Sequence, residues 1–377
     1  MTSLLDVRDS FGQGSPHVLN VGISYGPAII KIEGKSTAYY ELQVENVSQD
    51  TLSVSKIEVW NLDDSTNVFS VDNDNLQKRF SSTRGHTSDS ECILPPETSK
   101  VIYLEFPTQS DKSAIQLNHL IEYEIIRNDK SRSTEIHRFR SNVSNKELIK
   151  LGRPLQQGPW AAVYDPSWQR GHRRVYYTVN GVARIPGRFA IDFIKMDSQG
   201  RYAKGDENVI ENWYGYGNDV LAVSDGVVAS MQDGFPESST LSEHPQYSAE
   251  KASGNYISLK IGDNKFVFYE HLKPGSIKVK SGEKVKRGDV IASLGFTGQT
   301  TGPHLHLHVA DKDSLLGAEG LPFVFDTFTL LGRYSDFDNF GKRPWLPGDS
   351  SSVVDNEMPP SNSVINFSEK NSPKVKN

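Results

Sequence analysis

Three histidines stand at every second position of an apolar run, His304, His306 and His308 alternating with Leu305, Leu307 and Val309. The two-residue period of a strand puts the imidazoles on one face and the aliphatic chains on the other. Neutral imidazole is both a metal ligand and a base near neutral pH, so such a face suits metal binding or proton transfer better than a core. Further groups of the right type lie upstream: Asp192 in Arg188-Phe-Ala-Ile-Asp192-Phe193, and His271 in Phe268-Tyr-Glu-His271-Leu272. Zinc-assisted peptide hydrolysis needs about three protein ligands and one open position. It also needs a base for the water and a donor for the developing oxyanion. Asp192, His306, His271 and His304 supply those types.

These segments must be held by strands and tight turns. Gly215-Tyr-Gly-Asn218 leads into Val220–Val223, and Asp225-Gly226 turns the chain back. Asn255–Lys260, Phe266–Tyr269 and Val290–Leu294 read as further strands, and Gly262-Asp263, Ser281-Gly282 and Arg287-Gly288 punctuate them. A glycine-rich approach, Gly295-Phe-Thr-Gly-Gln-Thr-Thr-Gly-Pro303, precedes the histidine strand. The polar insertion at about 232–253, which contains His244, is a candidate specificity loop.

In their order, the Gly-Tyr-Gly-Asn segment, Gly254-Asn-Tyr, Tyr-Glu-His271-Leu, Val285-Lys-Arg-Gly-Asp-Val-Ile-Ala and Gly-Pro-His304-Leu-His306 resemble the zinc metallopeptidases of the LytM/lysostaphin type, peptidase family M23. The likeness covers about residues 170–330. It implies a compact antiparallel β domain with a groove, Zn2+ as cofactor, Asp192 and His306 as ligands, and His271 and His304 as the unliganded catalytic pair. It also implies cleavage of peptides in bacterial cell-wall peptidoglycan. One position departs from the family's His-x-x-x-Asp pattern: the first place is Arg188, and a guanidinium has no lone pair to give. The third ligand is then sought elsewhere. His172 is preferred, brought round by a bulge at Pro186-Gly187 in a hairpin that turns at Asn180-Gly181. His308 is the alternative, although it stands about 6.6 Å beyond His306 at the usual strand rise. The expected function is a zinc-dependent endopeptidase. The alternative is a catalytically inactive M23-like scaffold that binds the wall or a partner, which Arg188 favours.

The chain has 377 residues, a net charge of −6 and one cysteine. That charge gives no footprint for nucleic acid, and no apolar run approaches the ~18 residues of a membrane span. Cys92 excludes an intrachain disulfide and reads as a half-buried structural residue. The polar start does not read as a signal peptide, so an extracytoplasmic location, periplasmic or secreted, is expected from function alone. The sequence sets no oligomeric state.

The fold class expected is all-β. Residues 1–15 read as a flexible lead, 16–145 as an Ig-like β-sandwich of alternating strands, and 150–335 as the M23-like domain. In the sandwich Tyr40, Leu42 and Val44 alternate with Glu41, Gln43 and Glu45. From 346 to 377 the Pro-, Ser- and Asn-rich composition reads as a disordered tail.

Overall fold

The computed structural model describes residues 18–23, 25–82, 92–108, 114–144, 148–179 and 182–367. The expected lead, the Asn180-Gly181 turn and the stretch beyond 367 lie outside them.

The chain is built almost wholly of antiparallel β-sheet, as the alternating patterns require. Two sheets form the sandwich. One runs in the order Leu19–Ile23, Lys35–Asn46, Ser99–Pro107, Phe80–Ser82, with Ala28–Ile32 also on Lys35–Asn46. The other runs Arg132–Ser144, Ala114–Ile126, Thr51–Asn61, Thr66–Asp72. Leu42, Val44, Ile102 and Leu104 from the first sheet meet Leu52, Ile57, Ile121 and Ile125 from the second in one core. The apolar set switches from even to odd numbers between Val54 and Ile57. The ladder to Ala114–Ile126 shifts register between Val54 and Lys56, which returns Ile57 to the inner face. Cys92 lies partly buried against this core, and burial pushes its thiol up to about 11, which disfavours the nucleophilic thiolate.

Glu41 breaks the alternation. It falls on the polar side of its strand yet is only 1% exposed. That face of the sandwich is covered by the second region, and Ala28, Ile30 and Tyr39 share a core with Phe189, Ile191 and Leu307.

The second region is organised on one long sheet. Its central order is Phe323–Arg333, Ser363–Phe367, Gln157–Val163, Ile191–Lys195, Leu305–Ala310, Lys265–Glu270, Tyr256–Gly262, Gly226–Gln232. Asp219–Leu221 and Val290–Ser293 pair as a separate ribbon. The aliphatic face of Leu305–Ala310 points into the core, which commits its two imidazoles, His306 and His308, to the opposite side.

The tail expected from 346 is a misreading as far as Phe367. Leu346–Glu357 pairs with Phe323–Arg333, and Ser363–Phe367 is inserted between that strand and Gln157–Val163. Val364, Ile365 and Phe367 are buried. The polar composition of the surrounding stretch masks a short apolar strand whose burial is supplied by partners far back in the chain.

Candidate metal centre

Three adjacent strands set the site. Register places Asp192 and Glu270 on either side of His306, directly across from it. Direct cross-strand neighbours share a face, so one carboxylate, one imidazole and a second carboxylate stand in a row. His306 Nδ1 donates to Asp192 Oδ1 at 2.8 Å.

His172 completes the cluster. Its Nε2 lies 3.2 Å from Asp192 Oδ2, and its ring meets that of His306 edge-on at 4.7 Å between centroids. The route differs from the expected bulge. The hairpin is short, Tyr177–Val179 on Val182–Arg184, and does not reach His172. His172 instead opens a single 3-10 turn, His172–Arg174, while 186–189 forms a turn packed beneath it. A Cβ at Gly187 would stand 3.1 Å from the Cβ of His172, so a bare backbone lets the two turns close together.

His271 and His304 form a second pair with ring centroids 4.7 Å apart. His271 Nδ1 donates to the carbonyl of Thr297 at 2.8 Å, and His304 Nδ1 to the carbonyl of Gly302 at 2.8 Å. A carbonyl only accepts, so both Nδ1 atoms carry protons and both Nε2 atoms face the cluster. His304 Nε2 lies 3.3 Å from Asp192 Oδ1. His271 has a left-handed backbone, φ 63°, an uncommon state for a residue with a Cβ. Its amide is held by the carbonyl of Ser253 at 3.0 Å. Gly254, φ 60°, passes so close to Thr297 that a Cβ there would meet the Thr297 carbonyl carbon at 2.4 Å.

The electrostatics follow from burial among these partners. Burial, then the neighbouring His304 and His306, pushes His271 well below the ordinary imidazole range, so its ring is neutral. Burial opposes ionisation of Asp192, but His172 and His304 beside it hold the carboxyl well below its usual value. Burial would lower His306 too, yet Glu270 and Asp192 raise it. Glu270 is itself pushed up, chiefly by burial.

His308 shares the face of His306 as the alternation requires, but on the side away from Asp192. Its Nδ1 lies 3.1 Å from His306 Nε2 and 3.8 Å from Glu270, and its ring stacks on Phe268 at 4.8 Å. Burial, then His306 and His172, drives it well below the usual range. Among the described residues three sets therefore bring potential ligand atoms within 4.8 Å of one another: His172, Asp192 and His306; His271, His304 and His306; Glu270, His306 and His308. Glu270 is not among the residues that the sequence singles out, yet it stands across from His306. The register of Tyr-Glu-His271 against His304-Leu-His306 was the signal that would have found it.

Arg188 is not at the cluster's centre. It is buried, with Nε 2.9 Å from Glu41 Oε2 and a terminal nitrogen 2.9 Å from Glu319 Oε2. A cleft of about 160 Å3 opens on the His172 and Asp192 side, lined among others by Tyr39, Trp168, Arg170 and Met358. The 232–253 loop docks beside the histidine approach, with His244 Nε2 2.6 Å from the carbonyl of Gly298 and Asn255 holding the amides of Gly234 and Phe235.

Residues 211–316 match the model of peptidase family M23. The M23 match thus takes in His271, His304, His306 and His308, while His172, Arg188 and Asp192 precede it. The chain is 39% identical over 95 residues to the peptidoglycan DD-endopeptidase ShyB of Vibrio cholerae, covering 23% of this chain and 22% of that protein. It is 34% identical over 90 residues to ShyC, a peptidoglycan DD-endopeptidase of the same organism, covering 24% and 18%. The chain thus spans about a fifth of the length of these relatives. Among solved structures, the catalytic domain of lysostaphin from Staphylococcus simulans is 22% identical, with 44% of this chain and 88% of that one covered and a TM-score of 0.24. No helix among the described residues is long and apolar enough to cross a membrane.

Proposed function

We propose that the M23-type region is a zinc-dependent endopeptidase acting on peptidoglycan peptides outside the cytoplasm. The observation that carries this reading is the convergence of His172, Asp192 and His306 beside the His271–His304 pair. Two imidazoles and a carboxylate are the donor types of a catalytic zinc site, with room left for a fourth position. His306 Nδ1 and His172 Nε2 both face the Asp192 carboxylate, where one cation can take the place of the protons now shared there. The chemistry such an ion supplies is Lewis acidity toward water and a peptide carbonyl.

The residues themselves divide the remaining work. Neutral His271, its Nδ1 fixed by Thr297, presents a lone pair on Nε2 and serves as the base that takes a proton from the attacking water. His304, its Nδ1 proton held by Gly302, turns Nε2 to the same space beside the Asp192 carboxylate; in its imidazolium form, with both nitrogens protonated, it donates from Nε2 to the oxyanion that forms on the substrate carbonyl. Glu270 and His308 lie behind His306 and orient its ring. His172 thereby answers the difficulty raised by Arg188, which is occupied with carboxylates. The likeness to two peptidoglycan DD-endopeptidases, ShyB and ShyC, supports the substrate class.

Elemental analysis of the full chain, paired with digestion of purified peptidoglycan, tests the proposal. About one zinc per chain is expected, with new peptide ends released from the wall material and release abolished by a chelator. Failure to take up zinc from excess metal, together with an undigested wall, would overturn it.

A further inference from the structure

The buried charges around Arg188 do not belong to one domain. Glu41, on strand Lys35–Asn46 of the sandwich, places Oε1 2.9 Å from Arg173 Nε and Oε2 2.9 Å from Arg188 Nε. All three side chains are nearly inaccessible. Arg173 extends the grip: it donates to the carbonyls of Tyr40 and Leu104 at 3.0 and 2.9 Å and to Glu105 at 2.6 Å, all of them sandwich groups. Its guanidinium lies over the ring of Tyr39 at 4.6 Å. Arg188 is tied on its other side to Glu319 and to the carbonyl of Gly320. A Cβ at Gly320 would stand 3.0 Å from the Cβ of Arg188, so that loop is wedged in place.

The two arginines sit at telling places in the chain. Arg173 immediately follows His172 within the same 3-10 turn. Arg188 follows Gly187, the residue against which His172 packs, and precedes the strand that carries Asp192. A one-turn element has little stability of its own, and His172 is the one cluster member that neither sits on a strand of the long sheet nor borders one. Local backbone bonds close the turn, and the side-chain hydrogen bonds of Arg173 anchor it to the sandwich.

We propose that Glu41 of the sandwich is a positioning residue for the metal centre, fixing His172 through Arg173 and the Gly187 turn through Arg188. The first domain is then a structural part of the site. The carboxylate suits this because it accepts from two guanidinium forks at once, and each fork has a fixed geometry. A glutamine in its place offers one oxygen and an NH2 group that cannot face a guanidinium, so one arginine is released.

This inference rests on His172 being a ligand, and its test separates the two. In the full chain, Glu41→Gln is expected to weaken zinc binding about 10–100-fold, measured by competition with a chromogenic chelator, while cooperative unfolding persists. In a His172→Ala background the same substitution should change zinc affinity no further, since the route through His172 is already cut. The cobalt-loaded Glu41→Gln chain should move its visible absorption toward that of His172→Ala. A wild type that takes up no zinc counts against the proposed function alone. The positioning claim is then read in the metal-free chain, from the ring nitrogen signals of His172, assigned by their loss in His172→Ala, which should change in Glu41→Gln. If Glu41→Gln does not fold, Glu105→Gln, which weakens its contacts with both Arg173 and Arg79, is expected to weaken zinc binding severalfold in the same direction, whereas Arg79→Ala, which spares the Arg173 contact, is not. Folded glutamine variants with wild-type zinc affinity and an unchanged His172 signal, or effects of Glu41→Gln and His172→Ala that simply add, would overturn the proposal.

Discussion

His271 donates from Nδ1 to the carbonyl of Thr297 at 2.8 Å, and the loop that carries this carbonyl is itself tied to the chain on both sides of Gly254. That single bond settles which nitrogen of His271 faces the cluster. With the ring neutral, the exposed nitrogen is a base and not a donor. His271→Ala should therefore lower kcat by about 10²–10⁴-fold. Zinc content, by elemental analysis, should stay at the wild-type value, because His172, Asp192 and His306 remain. Loss of zinc in parallel with activity would instead assign His271 to the ligand set.

The two histidines considered for the third ligand part company in their surroundings. His172 touches Asp192, whereas His308 sits behind His306 against Phe268. His172→Ala is expected to lose zinc by about two orders of magnitude in affinity. His308→Ala should retain stoichiometric zinc and lose stability, since it vacates a buried, stacked position. Metal analysis of the two variants side by side distinguishes them, and the reverse pattern would move the ligand role to His308.

Gly254 is held at φ 60° with no room for a Cβ against Thr297. Gly254→Ala combines left-handed backbone strain with a backbone clash and should cost about 2 kcal/mol or more. Thermal unfolding measures this. Activity should fall further than stability does, because the displaced Thr297 is the group that orients His271.

A separate pH response belongs to the sandwich. His119 is buried, hydrogen-bonded to Tyr40 Oη at 2.8 Å and stacked on Phe139, and burial pushes its ring down to about 4. The unfolded chain protonates this group near pH 6.5. Its contribution is therefore complete above about pH 6.5 and falls by about 1.4 kcal/mol per pH unit below that. It is spent near pH 4, for a total of about 3 kcal/mol. His119→Phe should flatten the decline of the unfolding midpoint between those values. An unchanged slope would show that other groups govern the acid response.

Much of the site is visible in local pattern, because local pattern is what places it. A period of two puts His304, His306 and His308 on one face whatever the sheet around them, and the apolar partners Leu305, Leu307 and Val309 name the buried side. His172 resists such reading. Its position depends on a one-turn element, a glycine in another turn and an arginine held by a different domain, and no periodicity encodes any of these. Glu41 is hidden for the same reason: alternation assigns it to solvent, and only the docking of a second region makes that face interior. The stretch from 346 misleads because composition averages over a window, whereas Val364, Ile365 and Phe367 need only a short gap between two strands to be buried.

The strand Ser363–Phe367 lies inside the long sheet, between Phe323–Arg333 and Gln157–Val163, and the latter pairs with the strand that carries Asp192. During synthesis the ribosome delivers this strand after every other strand described for the region. Until it arrives, Gln157–Val163 and Phe323–Arg333 present bare edges to their surroundings, a state open to pairing with other chains. The sandwich, whose strands lie within 19–144, can close long before. The nascent chain thus carries a finished first half beside an unsealed sheet, and the neighbourhood of Asp192 is sealed only when residue 367 has cleared the exit tunnel.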